Sequence, residues 1–172
     1  MRQAPEPDKR LSVPARAAVI AALVGLDRLT KLWAVRWLKP KAIIPVCPFF
    51  QFVYVENTGM AFGLGRHRND FFLILSAALL LALFYLQKIW ARKNFWIQIG
   101  LLLIIPGALG NILDRIIYGH VVDFLDLQVL SHAVFNVFNV ADSCVSAGAV
   151  CLGIGILKDD AEEKRLRQNI NS

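Results

Sequence analysis

Four long apolar segments dominate this chain of 172 residues, and they constrain its fold more than any other feature. A helix needs about 20 mostly apolar residues to cross a hydrocarbon core of about 30 Å. All four segments reach that length, at approximately residues 13–38, 70–90, 95–117 and 133–157. Since 56% of all residues are hydrophobic, we expect an all-α integral membrane protein with four transmembrane helices in a single domain, residues 1–172.

The first segment is the weakest of the four, because Asp27, Arg28 and Lys31 interrupt it after the uncharged residues 17–26. A cleaved signal peptide is the alternative here, since a basic N-terminus precedes a short apolar stretch. However, Asp27 and Arg28 stand where a cleavage site would need small residues. We therefore expect this segment to be a retained helix.

The Lys and Arg residues are unevenly distributed, and positively charged loops are retained on the cytoplasmic side of a membrane. Eleven of them belong to the N-terminal arm, to the connection between the second and third segments, and to the polar tail, residues 158–172. Four lie between the first and second segments, and none occurs in residues 116–157. This distribution predicts that both termini are cytoplasmic.

Residues 39–69 are then expected on the outer side, and they are too apolar for a simple linker. Residues 49–55 are mostly aromatic or β-branched, which favours a strand, and Asn57-Thr58-Gly59 supplies a turn after it. We therefore expect a small extracytoplasmic β-rich cradle between helices 1 and 2.

Polar residues gather near the outer ends of the third and fourth segments. Ionisable groups at membrane depth cost about 2.5–3.5 kcal/mol each on insertion scales, so their presence requires a reason. Residues three or four apart share one face of a helix, and two antiparallel neighbouring helices joined by a short loop would bring such faces together. The residues are Asn111, Asp114, Arg115, Asp123, Asn139 and Asp142.

Asp123 and Asp142 are the candidate catalytic pair. Neither has a basic residue three or four positions away, whereas Asp114 is followed by Arg115 and Asp27 has Lys31 at i+4. Two neighbouring acids without a cation can share one proton, which is the dyad of aspartic proteases. The alternative, that one aspartate caps a helix and the other faces water, remains open on spacing alone.

Other chemistries lack their characteristic residues. No GxSxG, HExxH or Cys/His arrangement occurs, and the three cysteines have neither disulfide nor zinc spacing, so we expect no metal and no cofactor. The net charge of +6 forms no continuous basic stripe, so we expect no nucleic-acid partner.

Several separated motifs resemble those of the lipoprotein signal peptidase family, also called signal peptidase II. They occur in the family's order and cover the chain from Asp27 to Ser143. The motifs are DRLTK at 27–31, NTGMAF at 57–62, GALGNILDR at 107–115, VVDF at 121–124 and FNVADS at 138–143. In that family the last two carry the catalytic aspartates, and they match Asp123 and Asp142.

The resemblance implies an aspartic endopeptidase of the bacterial cytoplasmic (inner) membrane. Its substrates would be diacylglyceryl-modified prolipoproteins, cut just before the lipidated cysteine, with the active site near the extracytoplasmic face. Globomycin-type antibiotics would inhibit it, membrane lipids would surround it, and we expect a monomer. Support for substrate and site is expected from Asn57, Gly59, Asn111, Arg115 and Asn139. Structural ion pairs are expected between Asp27 and Lys31 and between Asp114 and Arg115.

Two positions depart from the family pattern. Pro106 stands where many members have a glycine, and Asn136 stands where many have a proline. A different class also remains open, a small proton-coupled transporter that uses the two aspartates as a relay. A membrane scaffold without activity is a third class, and it would need no unpaired acids. Four segments without an internal repeat argue against a transporter.

Overall fold

Helices and short strands alternate along the chain in the computed structural model, which describes residues 11–59, 69–90, 94–129, 132–133 and 136–171. The elements are α1 (Val13–Trp33), β1 (Ile43–Cys47), β2 (Phe50–Asn57), α2 (Asn69–Trp90), α3 (Phe95–Tyr118), β3 (Val121–Val129), β4 (His132–Ala133) and α4 (Val140–Asn171). A π-helical segment, Ala34–Leu38, continues α1. The fold is mainly helical with a small antiparallel sheet, as expected.

Three of the described helices are long and apolar enough to cross a membrane. They are Asn69–Gln87 in α2, Phe95–Tyr118 in α3 and Val140–Asn169 in α4. The 21 residues of α1 would also span about 30 Å, but this helix carries several charged residues. The fourth membrane span therefore stays a prediction.

Glycines allow α3 and α4 to pack closely. A Cβ added to Gly100 would lie 2.8 Å from the carbonyl oxygen of Gly148, and one added to Gly107 would lie 2.8 Å from a methyl group of Val145. In lipid, where apolar burial gives little drive for association, close packing at small residues stabilises helix pairs. This crossing brings the start of α4 against the second half of α3, which continues through Pro106.

The four strands form one sheet in the order β1-β2-β3-β4, with antiparallel pairing throughout. In the β2–β3 pair, Val55 lies opposite Asp123 and Asn57 lies opposite Val121. The sheet packs on the end of the first helix, where Leu38 is buried together with Val122. The pairing places Asn57 and Asp123 at the same end of the sheet.

The sheet corrects one expectation, because it is not confined to the connection between the first two helices. Its third strand, Val121–Val129, comes from the connection between α3 and α4, which the sequence had suggested was a short loop. Nine residues that pair with β2 along most of its length make this connection part of the cradle. Residues 60–68 of the expected cradle lie outside the described residues.

The fourth helix also differs from expectation at both ends. It begins at Val140 rather than near residue 133, and Ala133 belongs to β4. Phe138 pairs with Leu125 in an isolated bridge, so the apolar residues before the helix contact β3 instead of extending α4. At the other end α4 continues to Asn171, so the polar tail is helical through that residue.

Candidate active site

Asp123 and Asp142 come from different elements and line the same cleft. Asp123 lies on β3, where it is 1% exposed, and Asp142 lies in the first turn of α4. The cleft has a volume of about 610 Å³, and Asn57 lines it together with apolar side chains such as Phe138 and Val145. The two candidate acids therefore meet, as the sequence predicted, although one of them is on a strand.

Asn139 and Asp142 form a reciprocal cap at the start of α4. The Asn139 side-chain oxygen accepts a hydrogen bond from the backbone N–H of Asp142 at 2.8 Å. In return, a carboxylate oxygen of Asp142 accepts one from the backbone N–H of Asn139 at 3.2 Å. This is the capping-box arrangement, in which residues three apart satisfy each other's backbone donors. The alternative was that one aspartate caps a helix and the other faces water. Asp142 does cap α4, but it also lines the cleft, and Asp123 is buried instead of facing water.

Asn139 also connects the two acids. Its side-chain oxygen is occupied by the helix cap, so its amide nitrogen points away and donates to Oδ1 of Asp123 at 2.7 Å. The same side chain is fully buried. One asparagine thus donates to Asp123 through its side chain and to Asp142 through its backbone, which fixes the position of one carboxylate relative to the other.

Asn57 holds the other oxygen of Asp123. Its amide nitrogen donates to Oδ2 of Asp123 at 2.9 Å, while its own oxygen accepts from the backbone N–H of Gly59 at 3.0 Å. Burial of the carboxyl group, followed by the negative charge of Asp142, raises the pKa of Asp123 to about 7; the amides of Asn57 and Asn139 act in the opposite direction. A group that titrates near neutral pH can hold or release a proton under physiological conditions.

Asn111 connects Asp142 to a buried cation. The amide nitrogen of Asn111 donates to Oδ1 of Asp142 at 2.8 Å. Its oxygen accepts from the ammonium group of Lys31 at 2.9 Å and from the Asn139 amide at 3.2 Å. Lys31 is fully buried and also pairs with Asp27 at 2.9 Å, as the sequence suggested.

Asp114 does not pair with Arg115, so that expectation is wrong. Asp114 forms ion pairs with Lys31, at 2.9 Å, and with Arg28, both from α1. It also accepts a hydrogen bond from the backbone N–H of Val122 at 3.1 Å, which fixes the start of β3. Adjacent residues on a helix point in different directions, and this separates the two side chains.

Arg115 lies on a different side of α3 and contacts the turn after β2. One terminal nitrogen donates to the carbonyl oxygen of Gly59 at 3.1 Å, and the guanidinium lies over the ring of Phe72. Its other two buried nitrogens, Nε and Nη1, have no hydrogen-bond acceptor among the described residues. Arg115 and Gly59 thus contact each other near the acids.

Two residues of this network were missed by sequence reasoning. Arg28 pairs with Asp114 and donates to the hydroxyl of Tyr118 at 3.1 Å, with its guanidinium above the Tyr118 ring. The signal for Arg28 was present, because a second cation in an apolar helix needs a partner. No local pattern pointed to Tyr118.

Comparison with known proteins identifies the kind of molecule. The chain is similar to a bacterial membrane enzyme solved by the in meso method at 2.3 Å resolution, with a TM-score of 0.81 and 31% identity over 90% of this chain and 94% of that one. A second such structure, at 1.9 Å resolution, gives a TM-score of 0.77, also at 31% identity, over 88% of this chain and 98% of that one. The chain therefore shares its fold with these two bacterial membrane enzymes.

Sequence relatives narrow this class further. The chain is 41% identical to a lipoprotein signal peptidase of Clostridium tetani over 86% of this chain and 95% of the relative. It is 42% identical to one of Thermodesulfovibrio yellowstonii over 76% of this chain and 86% of the relative. The family model described as signal peptidase (SPase) II matches residues 19–158. The chain belongs to the signal peptidase II family of peptidases, which confirms the resemblance seen in the motifs.

Proposed function

We propose that this protein is an intramembrane aspartic endopeptidase that removes the signal peptide from diacylglyceryl-modified bacterial prolipoproteins, cutting just before the lipidated cysteine. Asp123 and Asp142 are its catalytic residues. The observation that carries this proposal is that Asn139 donates to both carboxylates, at 2.7 Å and 3.2 Å, where they line one cleft. Family membership supplies the substrate class.

The two acids take different roles because their surroundings differ. Asp142 lies at the N-terminal turn of α4, where backbone N–H groups and the helix dipole stabilise a carboxylate. Asp123 lies on a strand instead of in the first turn of a helix, and its burial raises its pKa, which favours the protonated form. Asp142 is therefore the general base, and Asp123 is the general acid.

The reaction then follows the general aspartic protease scheme. Asp142 takes a proton from a water molecule as the water oxygen attacks the scissile carbonyl carbon, and Asp123 gives its proton to the carbonyl oxygen. The tetrahedral intermediate collapses when Asp142 protonates the leaving nitrogen and Asp123 recovers a proton from the hydroxyl group. One water is consumed, and both acids return to their starting states.

The remaining polar residues support this chemistry. Asn57, Asn111 and Asn139 orient the acids through the hydrogen bonds described above. Arg115 and Gly59 are assigned to support of the substrate backbone, since the guanidinium of Arg115 holds the carbonyl oxygen of Gly59 in the turn that follows Asn57.

The setting of the enzyme follows from the charge distribution and the family. We place both termini in the cytoplasm and the cleft near the extracytoplasmic face of the inner membrane, where a lipidated substrate can enter sideways. The protein acts as a monomer among membrane lipids, and globomycin-type antibiotics bind in the cleft.

The test is cleavage of a purified diacylglyceryl-modified prolipoprotein by wild type and by the Asp123→Asn and Asp142→Asn variants. Both variants should be folded by thermal melting in detergent and should lose nearly all turnover. Asp126→Asn is the matched control, because Asp126 is also a buried acid on β3. It accepts hydrogen bonds from Gln51 and Gln128 and, among the described residues, has no hydrogen bond to the candidate dyad or its asparagines. Near-normal turnover in either dyad variant would show that the pair is misassigned. A wild type that never cuts would refute the proposed function.

A further inference from the structure

The ammonium group of Lys31 is fully buried and has a complete set of hydrogen-bonding and ionic partners. It lies 2.9 Å from Oδ2 of Asp27, 2.9 Å from Oδ2 of Asp114 and 2.9 Å from Oδ1 of Asn111. An ammonium group has three N–H donors and no acceptor; Lys31 donates a hydrogen bond to Asn111, and its contacts with the two carboxylates are ion pairs. Only two of the three acceptors are charged, so a purely ionic role does not account for the contact with Asn111.

That third contact determines which end of the Asn111 amide faces the candidate base. An asparagine amide has an acceptor end and a donor end, and a half-turn exchanges them. In the present orientation the oxygen faces Lys31 and the nitrogen donates to Asp142 at 2.8 Å. The reversed amide would bring its N–H groups against the ammonium, where no hydrogen bond can form. Lys31 therefore excludes the reversed orientation, and the Asn139 amide, 3.2 Å from the same oxygen, acts in the same sense.

We propose that Lys31 is a positioning residue of the peptidase: it acts through Asn111, whose amide it orients so that a donor always faces the carboxylate of Asp142. The inference rests on the proposed function only in naming Asp142 as the base. Without Lys31 the Asn111 oxygen keeps only its 3.2 Å contact with the Asn139 amide among the described residues, so the reversed amide becomes populated. Its oxygen then faces Asp142, which favours the protonated acid and weakens the base. Among the described residues, Lys31 and Arg115 are the cations near the dyad; Asp27 and Asp114 pair with Lys31, and Arg28 pairs with Asp114.

A charge-balanced double variant removes Lys31 without leaving a carboxylate unpaired. Removing Lys31 alone would leave an uncompensated buried carboxylate and endanger folding. The double substitution Asp27→Asn with Lys31→Met removes one charge of each sign and keeps the pair between Arg28 and Asp114. Asp27→Asn alone is the matched control, because Lys31 remains to contact Asn111. Both proteins are checked by thermal melting in detergent.

The expected result is a loss of turnover that is specific to the double variant. Relative to Asp27→Asn, kcat should fall between about 10- and 100-fold with little change in KM, the range for a lost hydrogen bond to a charged group. The acidic limb of the pH profile should also move to higher pH. In an Asn111→Ala background the same pair of variants should differ little, because the residue through which Lys31 acts is gone. Equal turnover of the two proteins, or an undiminished difference in the Asn111→Ala background, would overturn the proposal.

A second readout does not depend on cleavage. Infrared titration in detergent follows the carboxylic acid band of the dyad, assigned by its loss in Asp123→Asn and Asp142→Asn. Protonation should begin at higher pH in the double variant than in Asp27→Asn, and this difference should shrink in the Asn111→Ala background, because the direct effect of the Lys31 charge does not depend on Asn111. If wild type cleaves no prolipoprotein, the proposed function fails, and the titration still decides the role of Lys31. Identical titrations in the two variants would refute that role even if wild type is an active peptidase.

Discussion

Replacing Asp123 with asparagine should stabilise the folded protein at neutral and alkaline pH, even though it abolishes activity. Burial, and after it the charge of Asp142, raises the pKa of Asp123 from 3.8 to about 7. The folded state therefore binds this proton more tightly than the unfolded chain does. Below its unfolded pKa, Asp123 is protonated in both the folded and the unfolded state. Its contribution to the free energy of unfolding therefore falls only as the pH rises from about 4 to about 7.

The magnitude follows from the size of that shift. One pKa unit corresponds to about 1.4 kcal/mol, so the ionised Asp123 should lower the free energy of unfolding by at most about 4 kcal/mol above pH 7. Asparagine stays neutral and avoids this loss. Any fixed cost from its altered hydrogen bonds is the same at every pH, so it cancels when the difference between variant and wild type is followed against pH.

The assay is reversible unfolding in mixed micelles, followed by circular dichroism between pH 4 and pH 8. The advantage of Asp123→Asn over wild type should grow by several kcal/mol across this range, within the limit of about 4 kcal/mol given by the shift. Glu56→Gln is the control of opposite sign, since the hydrogen bond from Lys39 lowers the pKa of Glu56, whose small stabilising effect is lost as the pH falls. A difference between Asp123→Asn and wild type that stays constant with pH would refute the reasoning.

Two further variants test the helix crossing and the support of the acids. Gly107→Val should lower the melting temperature in detergent, because an added Cβ would lie 2.8 Å from a methyl group of α4 and overpacking costs about 1–3 kcal/mol. Gly153→Val is the control, since no atom lies within 4 Å of a Cβ added there. Equal melting temperatures of the two variants would contradict the prediction. Asn57→Ala should move the alkaline limb of the pH–activity profile to higher pH, because its amide stabilises the charged form of Asp123. An unshifted alkaline limb would show that this hydrogen bond does not tune the acid.

The membrane helices could be predicted from the sequence because length and apolarity alone define them. For α2, α3 and α4 the chain offers about 20 or more mostly apolar residues, which lipid can accommodate only as helix. The helix ends were predicted unevenly. α3 ends where Gly119 adopts a left-handed conformation, with φ of 74°, and this ending agrees with the predicted one to within a residue. The start of α4, in contrast, was predicted several residues too early.

β3 could not be predicted because its partner is distant in sequence. Residues 121–129 contain several β-branched and aromatic side chains, but a run this short between two helices fits a loop as well. What makes it a strand is backbone pairing with β2, about 65 residues earlier in the chain, in which Asn57 lies opposite Val121. A pattern restricted to neighbouring positions contains no information about such a pairing.

Asp123 and Asp142 were predicted as the catalytic pair because neither has a basic residue nearby in sequence, and this premise was incomplete. Both acids lack a basic residue within one helical turn, but a cation still acts on them, because Lys31 reaches Asp142 through Asn111. The same restriction to near neighbours produced the wrong pairing of Asp114 with Arg115. Contacts between α1 and α3 decide these pairs, and the sequence does not contain that geometry.

The start of α4 shows why an error of several residues in a helix boundary matters for the site. If α4 began near residue 133, the backbone N–H of Asn139 would donate to the carbonyl oxygen four residues earlier, as in any helix interior. Asp142 could then no longer accept from that N–H, and Asn139 could no longer cap the helix with its side-chain oxygen. The amide of Asn139 would lose the contact that points its nitrogen at Asp123. Beginning the helix at Val140 therefore both caps α4 and joins the two acids through Asn139.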